Sequence, residues 1–249
     1  MTQDIAAKTS FSIITICKNN YAGLLKTWQS LKAQDDKNLE WIVIDGDSSD
    51  ETIEFLKTTK AVWLSESDNG IYDAMNKGID MAGGDYIWFM NAGDLFGSHK
   101  VFECIRHEMQ YCEYQPDFIY GDFLSNDRFG EPTYREARSF NKTAPMHMFT
   151  SHQAMLYNRN TMGALRFDTN YKIASDYKFT IQHLKLGGRV LYCDIPLCIF
   201  EHGGISQQQP KSGRFEQYSI RKECGVANPI TNMGMYIGQS IHHRIQKCA

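Results

Sequence analysis

Short apolar, β-branched runs alternate with amphipathic segments about a dozen residues long through the first hundred positions. Residues 11–16 (FSIITI), 40–44 (EWIVI), 61–64 and 86–90 (YIWFM) are too short for helices and mostly apolar, which predicts strands, the first of them buried. Between them, residues 23–34 place Leu24, Leu25, Trp28 and Leu31 at helical spacing. Ser49-Asp50 then opens ETIEFLKTT with acids in its first turn, and residues 71–82 predict a third helix. Strands separated by helices imply parallel β-α-β units, a sheet covered on both sides, and ligands at the carboxyl ends of its strands.

The second half is less regular. A helix over 98–112, a strand over 117–124, a polar, mobile stretch over 125–150 and a strand over 152–157 are expected. A helix over 175–187 follows, with Ser175 or Asp176 at its start and Gly187 at its end. Two short strands (190–193 and 195–200) and two terminal helices (215–224 and 233–247) complete the reading. No repeat, low-complexity tract or linker divides the chain, so residues 1–249 are expected to form one α/β domain.

Composition narrows the class. A hydrophobic content of 42% in 249 residues excludes a disordered chain, and a formal charge of −3 argues against a dedicated nucleic-acid binder. Seven scattered cysteines without a C-x-x-C pair suit a reducing compartment. MTQDIAAKTS has no apolar run for a signal peptide, and the uncharged stretch 225–243 is too polar to span a bilayer, so a cytoplasmic location is expected. Charge is unevenly placed: residues 210–249 carry a net +4 and the first 209 residues about −7. A cationic tail suits an anionic membrane surface, and equally a solvated helix face.

The polar residues just beyond the expected strand ends hold the candidate chemistry. They are Lys18-Asn19-Asn20, Asp45-Gly46-Asp47, residues 66–70 (ESDNG) and Asn91-Ala92-Gly93-Asp94. Several acids at one sheet edge are unfavourable unless a cation or donor groups compensate. Asp94 beside Gly93 suits a divalent ion with hard oxygen ligands, Mg2+ or Mn2+; the same four residues also suit a turn. Asp45 at a strand end suits a ribose or base, whereas Ser49 and Asp50 suit helix capping. Asp68-Asn69-Gly70 leads into a helix start that exposes N–H groups to an anion, with Lys77 one turn in, reaching a phosphate or solvated. Asp176 is either an N-cap or a general base. His152-Gln153 and His202-Gly203-Gly204 are polar insertions in apolar context, where a satisfied structural histidine is the competing reading.

Together, TICKNN, IVIDGDSSDET, SESDNGIYDAMNKGI and GDYIWFMNAGD resemble glycosyltransferase family 2, nearest to bacterial enzymes that build O-antigen and colanic-acid-type polysaccharides. The likeness is strong over 10–100 and weaker through SHQAMLY, ASDYKF and EHGGIS to about 206; it does not extend to the tail after 210. It implies a GT-A fold with a mostly parallel, Rossmann-like sheet: a nucleotide-sugar half (10–100), an acceptor half (101–206) and a helical tail (207–249). It also implies inverting transfer from a nucleoside diphosphate sugar, UDP first, to a saccharide on a polyprenyl diphosphate carrier. The implied donor contacts are Thr15, Lys18, Asn19, Asp45, Asp68, Asn69, Gly70, Asn76, Asn91 and Ala92. Asp94 and His202 would hold Mn2+ or Mg2+, Asp176 would be the base, and His152 and Gln153 would meet the acceptor. No nucleic-acid partner is implied, and the oligomeric state is left open, a homodimer included.

Three positions depart from the family pattern. Asn91 stands where the first acid of Asp-x-Asp is usual, Ser175 where a glutamate often precedes the base, and Asp47 where glycine is usual. A sugar nucleotidyltransferase is a competing reading, disfavoured because CKNNYAG lacks a glycine-rich, basic loop. A donor-binding protein without turnover is another, motivated by Asn91.

Overall fold

The computed structural model describes residues 6–36, 38–126, 131–140, 146–201 and 203–248. Strands β1 (Phe11–Cys17), β2 (Leu39–Asp45), β3 (Val62–Ser65) and β4 (Tyr86–Phe89) pair in the order β3-β2-β1-β4, parallel throughout. Their connections carry helices α1 (Tyr21–Lys32), α2 (Thr52–Leu56) and α3 (Ile71–Met81), as the alternating pattern requires. Register places Cys17 beside Asp45 and Asp45 beside Ser65, so the loops after β1, β2 and β3 leave from one edge. The loop after β4 joins them, since the Ala92 N–H donates to the Ile16 carbonyl at 3.1 Å.

Burial on both faces explains the apolar strands. On one face Phe11, Ile13, Trp41 and Trp88 pack with Leu24 of α1 and Phe102 and Ile105 of α4 (Val101–Gln110). On the other, Ile14, Ile42, Ile44 and Phe89 pack with Tyr72, Met75 and Ile79 of α3.

The second half adds β5 (Leu95–Phe96), β6 (Phe118–Asn126), β7 (Pro132–Arg135), β8 (Met155–Asn158) and β9 (Val190–Phe200), extending the sheet as β4-β8-β6-β9-β5. β8 is antiparallel to both β4 and β6, β5 is antiparallel to β9, and β6 and β9 run parallel, so the complete sheet is mixed. The two short strands expected around residue 195 are one: a register shift at Gly121–Asp122 accommodates Pro196, which has no N–H for the ladder. β7 lies inside the stretch expected to lack regular structure, whose residues 127–130 and 141–145 fall outside the described ones.

Helices α5 (Arg159–Met162), α6 (Ser175–Leu186), α7 (Ile205–Gln208), α8 (Pro210–Glu223) and α9 (Pro229–Cys248) follow. α8 begins earlier than periodicity predicts because Pro210 occupies its first turn, where a missing N–H is harmless. The tail is folded against the body. Ile220 of α8 forms a third small core with Ala174, Tyr177 and Ile181. Arg221, fully buried, donates to Asn232 Oδ1 of α9 at 2.6 Å, and the Tyr218 and Tyr236 rings meet at 5.5 Å. No helix among the described residues is long and apolar enough to cross a membrane.

Candidate active site

A cleft of about 720 Å³ opens at the edge where the strand-end loops gather. Asn91, Ala92, Asp94, His152, Gln153 and Asp176 all line it. Asp94 and Asp176, far apart in sequence, therefore face one common space.

The loops after β1, β2 and β3 are laced together. The Asp45 carboxylate is fully buried: Oδ2 accepts from the Ser48 N–H (3.0 Å) and Ser65 hydroxyl (2.7 Å), while Oδ1 has no partner among the described residues. A buried acceptor without a donor is unfavourable, and a nucleoside N–H or hydroxyl would complete it. Asn19, at φ 49°, accepts from the Ser49 N–H and gives its own N–H to Ser48 Oγ, tying the first two loops. Lys18 is exposed, and a Cβ at Gly46 would lie 3.0 Å from Asp68 Oδ2 and 3.3 Å from Lys18 Cδ, so these three meet closely. The Asn69 N–H is taken by Asp73, and Gly70, at φ 115°, turns the chain into α3.

Lys77 neither waits for a phosphate nor floats in solvent. Its ammonium contacts Asp68 (2.6 Å), Glu66 (2.8 Å) and the Ser67 carbonyl (3.1 Å). Burial opposes its charge, but the carboxylates outweigh it and hold the ammonium above its ordinary pKa. Two residues expected to contact the donor are already hydrogen-bonded within the fold. Thr15 is fully buried on the inner face of β1, where its hydroxyl accepts from the Trp41 indole at 3.0 Å. Asn76 binds the Phe167 backbone twice, accepting at 2.8 Å and donating at 3.0 Å, and so pins α3 to the segment before α6.

Asp94 is 3% exposed. Its Oδ1 accepts from the Glu201 N–H (3.0 Å), Oδ2 from the Asn91 N–H (3.2 Å), and the Gln153 side chain also donates to it. Burial outweighs these donors, with nearby Glu201 adding to it, and the carboxyl is pushed up to about 7. Gln153, expected at the acceptor, is bound to Asp94 and to the Ser151 hydroxyl (2.7 Å). Glu201 was not singled out by sequence, although it stands at the head of EHGGIS. Its carboxylate lies over Gly93, where a Cβ would come within 1.8 Å of Oε2, and its other oxygen pairs with Lys26 at 3.3 Å. His202 lies outside the described residues. Among the described residues no three His, Cys, Asp or Glu side chains form a metal-holding group. The oxygens that do gather suit a hard cation: the Asp94 carboxylate, the Asn91 Oδ1, buried without a partner, and Glu201.

Asp176 sits in the first turn of α6, where the helix dipole favours a carboxylate. The single Tyr72 O–H of α3 is shared between the Ile173 carbonyl (2.7 Å) and Asp176 Oδ1 (3.1 Å). Burial and the Asp176 charge hold the Tyr72 proton well above its ordinary pKa, so it remains a donor. No side chain caps α6 from within. Glu216 of α8 reaches across instead, accepting from the Lys172, Ile173 and Ala174 N–H groups at 3.0, 2.9 and 2.8 Å. His152 stacks on Phe89 at 5.3 Å. Burial lowers its pKa, against the pull of Asp176, and neither ring nitrogen has a partner among the described residues.

The sequence pattern that defines Glycosyl transferase family 2 matches residues 12–165. The chain belongs to this family. An uncharacterized glycosyltransferase of Mycobacterium tuberculosis is 30% identical to it over 218 residues, 82% of this chain and 79% of that protein. The amylovoran biosynthesis glycosyltransferase AmsB of Erwinia amylovora is 26% identical, over 76% and 68% of the two chains. Among solved structures, Staphylococcus aureus TarS 1–349 in complex with UDP-GlcNAc superposes with a TM-score of 0.71 at 17% identity, covering 87% of this chain and 66% of that fragment. Glucosyl-3-phosphoglycerate synthase of M. tuberculosis, in complex with Mn2+, UDP and glucosyl-3-phosphoglycerate, superposes with a TM-score of 0.64 at 13% identity, covering 92% and 84%. The fold is thus that of the GT-A glycosyltransferases. The matched family pattern stops before Asp176, Glu201 and all of α8.

Proposed function

We propose that this family 2 glycosyltransferase moves a sugar from a nucleoside diphosphate donor to a saccharide hydroxyl with inversion at the anomeric carbon. The observation that carries this reading is the shared cleft of Asp94 and Asp176. UDP in both solved relatives favours a UDP-sugar, and AmsB favours synthesis of a bacterial polysaccharide.

The unpartnered Asp45 Oδ1, with Asp68 beside it, supports a nucleoside subsite at the ends of β2 and β3. Asp94, Asn91 and Glu201 would hold Mn2+ or Mg2+, which when bound neutralises charge on the departing diphosphate. Gln153 and the Glu201 N–H keep the Asp94 carboxylate oriented toward the cleft. Asp176 takes the proton of the attacking hydroxyl, and the Tyr72 O–H holds its Oδ1 in place. His152, neutral and with unpartnered ring nitrogens, is suited to hydrogen-bond the acceptor. A base and a diphosphate site on opposite sides of the anomeric carbon produce inversion. Asp176→Asn is expected to lower transfer about 100- to 10,000-fold with UDP affinity unchanged. Lost UDP affinity with retained turnover would reverse the assignment.

The tail supports a second part of the reading: peripheral contact with the inner membrane face, where a polyprenyl-diphosphate-linked acceptor would reside. Glu216 turns to the N–H groups ahead of α6 and the exposed Glu223 pairs with Lys178, while Lys211 and Lys222 stay exposed. Ile230, Met233, Ile237 and Ile241 of α9 form an exposed stripe about 80° wide at helical spacing. Replacing Ile237 and Ile241 with glutamate should release the protein from vesicles containing phosphatidylglycerol; undiminished co-sedimentation would rule the stripe out as the contact.

A further inference from the structure

We infer that Arg214 is a phosphate-binding residue of the cleft, supplied by the tail helix α8. Four residues of that helix line the cleft at one-face spacing: Pro210, Gly213, Arg214 and Gln217. Their position is built into the fold. The Glu216 carboxylate grips the three N–H groups ahead of α6, Ile220 is fully buried against that helix, and a Cβ at Gly213 would lie 3.1 Å from Ile173 Cγ2.

Within this wall the Nε of Arg214 is buried and has no acceptor among the described residues. Among the described residues no acid of the cleft pairs with Arg214: Asp94 accepts from backbone N–H groups and Gln153, Asp176 shares the Tyr72 proton through Oδ1, and Glu201 pairs with Lys26. A guanidinium is permanently charged, donates only, and presents a planar fork that matches the oxygens of a phosphate. Held in a cleft with a buried N–H that has no acceptor among the described residues, it is suited to an anion from outside the chain. On the transfer reading, on which only the source of the phosphate rests, that anion is the donor's diphosphate or the phosphate that links an acceptor to its lipid.

Arg214→Gln and Arg214→Lys, each checked for an unchanged thermal melt, separate these cases by calorimetry. Inorganic pyrophosphate tests the residue without reference to any reaction: Arg214→Gln should bind it about 10- to 100-fold more weakly, as expected for loss of charge-assisted hydrogen bonds, with partial recovery in Arg214→Lys. If the donor supplies the phosphate, Arg214→Gln loses affinity for UDP and not for uridine. If the acceptor supplies it, UDP affinity holds and the UDP-saturated variant loses affinity for geranyl diphosphate. Equal binding of pyrophosphate, UDP and geranyl diphosphate by wild type and Arg214→Gln would overturn the inference. Arg214-dependent pyrophosphate binding by a wild type that takes no nucleoside diphosphate would keep it and remove the transfer reading instead.

Discussion

Glu216 offers the sharpest test of how the tail serves the cleft. Its carboxylate accepts three backbone N–H groups just ahead of α6, whose first turn carries Asp176. A hydrogen bond to a charged group contributes about 1.5–3 kcal/mol when well shielded. Here one carboxylate is shared by three donors and the Lys172 bond is exposed, so the sum is discounted to about 3 kcal/mol for Glu216→Ala. In a chain of this size that lowers the melting temperature by about 6–12 °C. Glu216→Gln keeps one acceptor oxygen and should recover roughly half. The functional consequence is separable from the loss of stability. Assayed well below the melting temperature, Glu216→Ala should lose kcat about tenfold or more as Asp176 leaves its Tyr72-held position, with UDP affinity unchanged. Glu216→Gln should restore kcat along with the melt. An unaltered kcat in a Glu216→Ala protein that melts lower would refute the positioning argument.

Other expectations follow from single contacts. Asn76→Ala removes both bonds to the Phe167 backbone and should destabilise the fold by about 2 kcal/mol with UDP affinity unchanged; a selective loss of UDP binding would restore Asn76 to the donor site. The raised pKa of Asp94 means the folded, metal-free protein holds a proton that the unfolded chain releases near the ordinary value of 3.8. Stability in EDTA should therefore fall as pH rises from 4 through 7, by a few kcal/mol at most, and Asp94→Asn should flatten that slope; an equally steep slope in the variant would place its origin elsewhere. Gly93→Ala drives a methyl into the Glu201 carboxylate at a backbone angle that favours glycine, and should weaken manganese-dependent UDP binding; unaltered binding would remove Glu201 from the cation site.

The parallel half of the sheet was legible because β1, β2 and β4 are largely buried on both faces and so are mostly apolar. Asp45 and Asp94 stand out in the sequence for the opposite reason: acids where apolar strands end leave few structural explanations. Pairings between distant segments were not legible. Thr15 looks available until Trp41 covers it, and Asn76 looks polar and surface-bound until Phe167, 91 residues later, takes both ends of its amide. That Gln153 lies beside Asp94 in the cleft shows only in space. The tail shows the same limit from the other side. Positions 210, 213 and 214 lie ahead of the helix that periodicity predicts over 215–224, and the packing of Ile220 on α6 brings them with Gln217 into a wall of the cleft. Its net positive charge hid a division of labour, with Arg221 in the core and Arg214 in the site.

Incubating the protein with manganese and an α-linked UDP-sugar, water serving as acceptor, and recording the first-formed anomer of the released sugar by proton NMR addresses the central claim most directly. Catalysis by Asp176 opposite the diphosphate site predicts the β-anomer at early times, absent from Asp176→Asn. Release of the α-anomer, or equal release by the variant, would contradict it.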